Sequence, residues 1–568
     1  MCTMINLKAN PFSLTDEAIA WVKNTLASMD IKAKVGQLFC PIAHSQDRGY
    51  LDNFLTAMQP GGILFRPEPG AEIQASHNYL QQNSKVPLLI TANLEVGGNG
   101  SALEGCFYGY PMQAAATGNE EMAYRLGMVA GREGGAVGCN WAFAPIVDID
   151  RNYKNPITNL RTYGSNPDTV LKMAKAYMRG AQESGIAVSA KHFPGDGSDD
   201  RDQHLHVGVN NLSVEEWDAT YGRVYKGMIE AGTDSIMVGH IMLPEYTRAL
   251  LPGISDQEIL PASMSPEIIQ KLLREKLGFN GVVIIDASPM GGFTMAEKRE
   301  LAIPKTIAAG CDMFLFNRNV EEDMEFMLAG IERGILTVER IDEAVTRILA
   351  LKASIGLHNQ KQTGEIIKGK EKLELLNCQQ HKEWAQECAD LAVTLVKDTQ
   401  KALPLSPEKH KRIWLFVLGE GQAHYSQDAH LLFKELLEQE GFEVEIFDKV
   451  KYQFAYMGIS VKELKEKYDA AIYFANIEPA SNKTVMRVNW SMPMGCDMPW
   501  FINEIPTIGV SVGSPYLLQD IPQLKTLING YSGNEAVVKS VVEKLLGRSP
   551  FKGGSPVDPY CGYWEAKR

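Results

Sequence analysis

The first 357 residues repeat one pattern: a short apolar run, a polar or glycine-rich turn, then a stretch with helical periodicity. The runs occupy 35–42, 61–65, 86–93, 137–144, 186–192, 233–240, 281–286 and 311–316, eight in all. Amphipathic segments lie between them, for example 167–184, 213–231 and 265–277. Ser213 with Glu216 three residues on makes a capping box, and Ser265-Pro266 places a proline at a first helical turn. Eight strand–helix units predict an α/β fold of the TIM-type (β/α)8 barrel kind over residues 1–357. A doubly wound sheet is the other arrangement, but no G-x-G-x-x-G accompanies the strands.

The stretch 358–376 begins HNQKQTGEIIKGKEKLE, which is polar and lacks an apolar face, so it reads as a linker. A helix is expected from 377 to about 396, then strands at 412–418, 443–447, 470–474 and 507–512 with helical stretches between them. The last helix is expected at 535–546. Residues 377–568 therefore predict a smaller three-layer α/β sandwich.

The net charge of −13 makes nucleic acid and anionic membranes poor partners. No run of about 18 apolar residues occurs, and the first residues lack a basic stretch followed by an apolar one. The nine cysteines are odd in number, irregularly spaced and without C-x-x-C, as in reduced intracellular proteins. A cytoplasmic protein is the expectation.

In a barrel of this kind, catalytic groups sit where strands end on their C-terminal side. The polar residues there are Asn93, Asp148, Lys191-His192, His240 and Asp286. The most specific stretch is 191–204, KHFPGDGSDDRDQH. Two cations end a strand, a Pro-Gly-x-Gly turn follows, and an acid-rich loop ends in Asp202-Gln203-His204. An Asp two residues from a His can accept its ring N–H and fix the tautomer. Asp286 closes the apolar run 282–285, which would put a carboxylate at the barrel mouth. His204 and His206 alternate, but no third ligand follows at metal-site spacing, so no metal is expected.

These motifs resemble the family 3 glycoside hydrolases, in the β-N-acetylglucosaminidase branch with K-H-F/I-P-G-x-G followed by D-S/T-H. Residues 140–150 (NWAFAPIVDID), 159–164 (NLRTYG), 278–286 (GFNGVVIID) and 340–352 resemble further family segments, in the family's order. The resemblance spans roughly 30–357; residues 390–550 more weakly resemble the second domain of two-domain members. Four positions depart from the branch pattern. Asn93 stands where an Asp is usual, Asp196 replaces a His, Gln203 replaces Ser or Thr, and Ile285 replaces a Ser.

The resemblance implies Asp286 as nucleophile, His204 as acid/base oriented by Asp202, and Lys191, His192, Arg161 and Asn93 as sugar ligands. It implies a retaining, exo-acting β-glycosidase that releases terminal β-N-acetylglucosaminyl or β-glucosyl units. No cofactor is expected, but inorganic phosphate enters as a co-substrate. A carboxylate acid/base would repel an anionic acceptor by about 4 kcal/mol per unit charge at 4 Å and an effective dielectric of 20, and an imidazole avoids this. Some members of the resembled branch are phosphorylases. The alternatives are a plain hydrolase, one using Glu95 or Glu245 as acid/base, and a non-catalytic carbohydrate-binding relative. The expected partner is thus a small β-glycoside, with neither nucleic acid nor membrane.

Overall fold

The computed structural model describes residues 5–452 and 459–568; Cys2 lies outside them. Two compact units emerge. The first comprises Met1–Phe107, Ala123–Ile149 and Pro167–His381; the second comprises Tyr108–Met122, Asp150–Asn166 and Lys382–Arg568.

The first unit is built on eight parallel strands. They are β1 (Phe39–Cys40, resuming as Ile42–Ala43), β2 (Gly62–Phe65), β3 (Leu89–Ala92), β4 (Trp141–Ala142), β5 (Ala187–Phe193), β6 (Ser235–Val238), β7 (Val282–Ile285) and β8 (Phe314–Leu315). Each overlaps one of the eight expected runs, with β1 and β5 ending one residue beyond theirs. Pro41 has no N–H to donate and splits β1 into two halves. One half pairs with β8 (Phe39↔Phe314) and the other with β2 (Ile42↔Leu64). The ladder then runs through neighbours in sequence to β7, which touches the β8 run at Ile284↔Met313. The ring is closed. β7 is Val-Val-Ile-Ile and wholly buried, as expected of a parallel strand covered on both faces.

The helix Val338–Ser354 and the wide helical segment Glu267–Lys276 bring three arginines onto one buried carboxylate. Arg274 and Arg340 each reach an oxygen of Asp312 at 2.7 Å, and Arg347 lies at 3.4 Å. Val283 N–H donates to the same group at 2.9 Å. Burial pushes the Asp312 carboxyl up, but the guanidiniums outweigh it and hold it below the ordinary carboxylate value. Asp312→Ala would leave three crowded cations without their counter-charge. We expect it to cost about 3–5 kcal/mol of stability, read as a lower urea midpoint at unchanged slope.

The stretch 358–376, expected as a linker, belongs to the first unit. It carries a helix, Leu357–Thr363, and a tight turn, Lys370–Leu375. Polar side chains of the helix Gly70–Asn83 hold it. Asn78 pairs with both backbone groups of Lys368 at 2.8 Å, and Gln74 donates to Gly369 O at 3.0 Å. Amide-to-backbone hydrogen bonds hold this segment with Ile366 as a single buried apolar anchor, so hydrophobic periodicity did not register it.

The second unit has a six-stranded sheet. Its strands are β9 (Thr394–Asp398), β10 (Arg412–Leu418), β11 (Glu443–Ile446), β12 (Ala470–Ala475), β13 (Thr507–Ser511) and β14 (Thr526–Asn529). The order is β9-β14-β13-β12-β10-β11, parallel except for β9. Alternation along β10 sends Ile413 and Leu415 into one core, with Phe433 and Val541, and Trp414 and Phe416 into another, with Tyr468 and Tyr473. Two cores on one sheet make three layers. β9 was expected as the end of a helix, which instead stops at Ala392. The eight described cysteines are free thiols. Among the described residues no helix is long and apolar enough to cross a membrane.

Candidate functional site

The C-terminal ends of β3, β5 and β7 and the loop after β5 carry the expected side chains. Asp286 follows β7 directly and continues its ladder, donating from its N–H to Val238 O at 2.8 Å. It is 8% exposed. Oδ1 accepts from Ala287 N–H at 2.7 Å, and Oδ2 is buried with no hydrogen-bond partner among the described residues. His192 Nε2 lies 3.8 Å from that oxygen. Burial raises the Asp286 carboxyl, but the imidazoles of His192, His204 and His240 and the Ala287 N–H outweigh it and hold it below the ordinary value. His240 is itself pushed down to about 4 by burial.

His192 and Lys191 end β5, and both are held from behind. Asp148 is fully buried and accepts from His192 N–H at 3.0 Å and from its ring Nδ1 at 2.7 Å. That contact leaves Nε2 facing Asp286. Lys191, 3% exposed, forms an ion pair with Glu95 at 2.7 Å and donates to Asn93 Oδ1 at 3.4 Å. Glu95, weighed above as an acid/base, is thereby committed to an ammonium. Glu245 is paired with Arg248 on a surface helix at 2.5 Å.

In the loop after β5, His204 Nδ1 lies 2.7 Å from Asp202 Oδ1, and its backbone N–H reaches the same oxygen at 2.9 Å. The Asp202 side chain is fully buried while the His204 side chain is 21% exposed, and Nε2 is the ring nitrogen on the side away from Asp202. Two glycines just past Asp286 seat this loop. Gly291 N–H donates to His204 O at 2.8 Å and Gly292 N–H to Gln203 O at 3.1 Å. A Cβ at Gly291 would fall 2.3 Å from Leu205 O, so only glycine permits the approach.

The structure thus brings Asp286, His192, Lys191, Asn93, Asp202 and His204 together in the first unit. Arg161 falls in the second unit, where it ends the turn Asn159–Arg161 and donates to Ile157 O at 3.1 Å. Arg201, one cation considered for phosphate, is gripped by Asp199 through Nε and Nη2 at 3.0 and 2.8 Å. His240 has both ring nitrogens occupied, by Ser263 Oγ at 2.9 Å and Ala287 O at 3.1 Å. The supporting roles of Asp148, Glu95 and Gly291-Gly292 were not assigned from sequence. Strand-end placement marks Asp148, but nothing in the chain marks its partner 44 residues away. Among the described residues no group of three or more His, Cys, Asp or Glu is arranged to hold a metal ion.

Comparison with known proteins identifies the family. Residues 30–351 match the glycosyl hydrolase family 3 N terminal domain. The chain is 44% identical over 566 residues to a beta-N-acetylglucosaminidase/beta-glucosidase of Cellulomonas fimi, covering 99% of this chain and 100% of that one. A solved structure of a beta-glucoside phosphorylase, BglX, matches with a TM-score of 0.93 at 44% identity over 99% of each chain. A family 3 beta-N-acetylglucosaminidase from Paenibacillus sp. str. FPU-7 shares the fold, with a TM-score of 0.74 at 22% identity over 94% of this chain and 100% of that one. With a family match over more than half its length and a near-full-length relative, this chain belongs to glycosyl hydrolase family 3.

Proposed function

We propose that the protein is a retaining, exo-acting β-glycosidase that forms a glycosyl-enzyme on Asp286 and passes the sugar to inorganic phosphate. Lys191, His192 and Asn93 act as ligands for the hydroxyls of a terminal β-N-acetylglucosaminyl or β-glucosyl unit. In the first step Asp286 Oδ2 attacks C1 and the C1–oxygen bond to the leaving group breaks. His204 Nε2–H gives its proton to the departing oxygen. In the second step a phosphate oxygen attacks C1 and the ester to Asp286 breaks. Phosphate dianion arrives ionised and needs no base. Two displacements restore the β configuration in the sugar 1-phosphate.

The observation that carries this reading is the His204–Asp202 dyad, a neutral or cationic acid/base where a carboxylate would repel phosphate. Similarity to a beta-glucoside phosphorylase along the whole chain adds weight. Hydrolysis is the second reading, favoured by the name of the Cellulomonas fimi relative; water would then need His204 as its base. Nitrophenyl β-N-acetylglucosaminide and β-glucoside, each with and without phosphate, separate the two. We expect phosphate to raise turnover and a β-configured sugar 1-phosphate to replace free sugar. Free sugar alone in excess phosphate would establish the hydrolase.

A further inference from the structure

Two of the four departures from the branch pattern, Asp196 and Gln203, meet in space. Gln203 Nε2 donates to Asp196 Oδ2 at 3.2 Å. Gln203 Oε1 accepts the backbone N–H of His240 at 2.9 Å, at the end of β6. Asp196 in turn donates from its N–H to Asp148 Oδ1 at 2.8 Å and accepts Gly197 N–H on Oδ1 at 2.6 Å. Its carbonyl accepts the Tyr221 hydroxyl at 2.7 Å. Asp196 is 5% exposed and Gln203 1% exposed. Inside a protein such contacts are stronger than in water, and an unmet group there is costly. The Ser or Thr usual at position 203 has too short a side chain to span from the loop to both Asp196 and the end of β6.

The connections are continuous. His192, which faces Asp286, is held by Asp148; Asp148 holds Asp196; Asp196 holds Gln203; and Gln203 immediately precedes His204. We propose that the Asp196–Gln203 pair is a positioning latch that fixes the acid/base loop against the end of β6 and so sets where His204 Nε2 meets the leaving-group oxygen. Neither residue touches the reacting atoms. Both act through His204, so this inference rests on the role given to His204 above. A displacement of about 1 Å in such a group costs on the order of 100-fold in rate.

The test compares wild type, Gln203→Met and Asp196→Asn. Methionine keeps the length of Gln203 without its hydrogen bonds. Asparagine keeps the shape of Asp196 but has one acceptor oxygen for two donors. Each protein is assayed on a dinitrophenyl glycoside, whose leaving group needs no proton, and on an unactivated alkyl glycoside, whose leaving group does. We expect a loss of about 10- to 100-fold in kcat/KM on the alkyl glycoside. On the dinitrophenyl glycoside, and in the rate at which a fluorosugar labels Asp286, the change should stay within about threefold. Equal losses on both substrates would overturn the latch and leave the pair a structural contact, as would no loss on either. If Gln203→Met does not fold, Asp196→Asn carries the comparison. Wild type inactive on both glycosides would overturn the glycosidase reading and this inference with it; a uniform loss in the variants overturns the latch alone.

Discussion

Asp286→Asn should abolish turnover while leaving the protein folded. Asparagine has the same shape and keeps an oxygen for the Ala287 N–H, but it cannot form an ester with C1. Removing a nucleophile costs on the order of 10^4- to 10^6-fold in kcat. The fold should give up a little stability with it. Burial disfavours the carboxylate, and its Oδ2 has no hydrogen-bond partner among the described residues. The neighbouring imidazoles and the Ala287 N–H outweigh that and hold the carboxyl below its ordinary value, so the fold favours the charged form. Asparagine loses that attraction, and thermal melting should show an unchanged or slightly lowered Tm. A second variant, Asp286→Gly with added azide, reads the same assignment through stereochemistry. Azide would displace the leaving group once, giving a glycosyl azide of inverted configuration. Retention of activity within about tenfold in Asp286→Asn would move the nucleophile elsewhere, since losing a nucleophile costs far more than that.

Much of this arrangement is legible in the sequence. The eight apolar runs became eight strands because each is short, apolar and followed by a turn, and covered parallel strands require little more. Asp286, Lys191 and His192 could be located because they stand at the C-terminal ends of such runs. Asp202 and His204 could be paired because they are two residues apart. Sequence spacing does not encode contacts made across the barrel. Asp148 reaches His192 from the end of β4, Glu95 reaches Lys191 from the end of β3, and Gly291 receives the His204 loop from beyond β7. The departures at Asp196 and Gln203 looked like two separate weakenings of the pattern and are one interaction.

The unit boundaries failed to show for a related reason. Tyr108–Met122 and Asp150–Asn166 are excursions within the barrel's sequence that pack with the second unit. Asp150, for example, accepts Tyr516 Oη at 2.6 Å across 366 residues of chain. Burial pushes its carboxyl up to about 6, and hydrogen bonds from Tyr516 and Thr158 oppose that shift. Local periodicity carries no record of such a pairing. Arg161 lies in one of these excursions, so its part in sugar binding rests on motif order alone. The segment 358–376 shows the converse: a polar composition read as a linker is ordered by amide-to-backbone bonds.

His204→Ala should divide substrates by their leaving groups. Without the imidazole, an alkoxide must leave unprotonated, and proton donation of this kind is worth about 10^2- to 10^4-fold. A dinitrophenolate leaves without help, so formation of the glycosyl-enzyme from that substrate should change by only a few-fold. Asp286 is unaltered by the substitution and keeps His192 beside it. The second step then separates the acceptors. Water has lost its base, so hydrolysis of the glycosyl-enzyme should slow and the dinitrophenyl substrate should show a burst. Phosphate is already ionised, so adding it should remove the burst and restore steady turnover as sugar 1-phosphate. The ratio of phosphorolysis to hydrolysis in His204→Ala should therefore exceed that of wild type. Rapid-quench measurement of the burst, with and without phosphate, reads both effects in one experiment. Equal loss on activated and unactivated glycosides would remove His204 from the proton-transfer role. A burst that phosphate leaves untouched would show that the dyad serves water, because only a nucleophile that needs no base can bypass the missing imidazole.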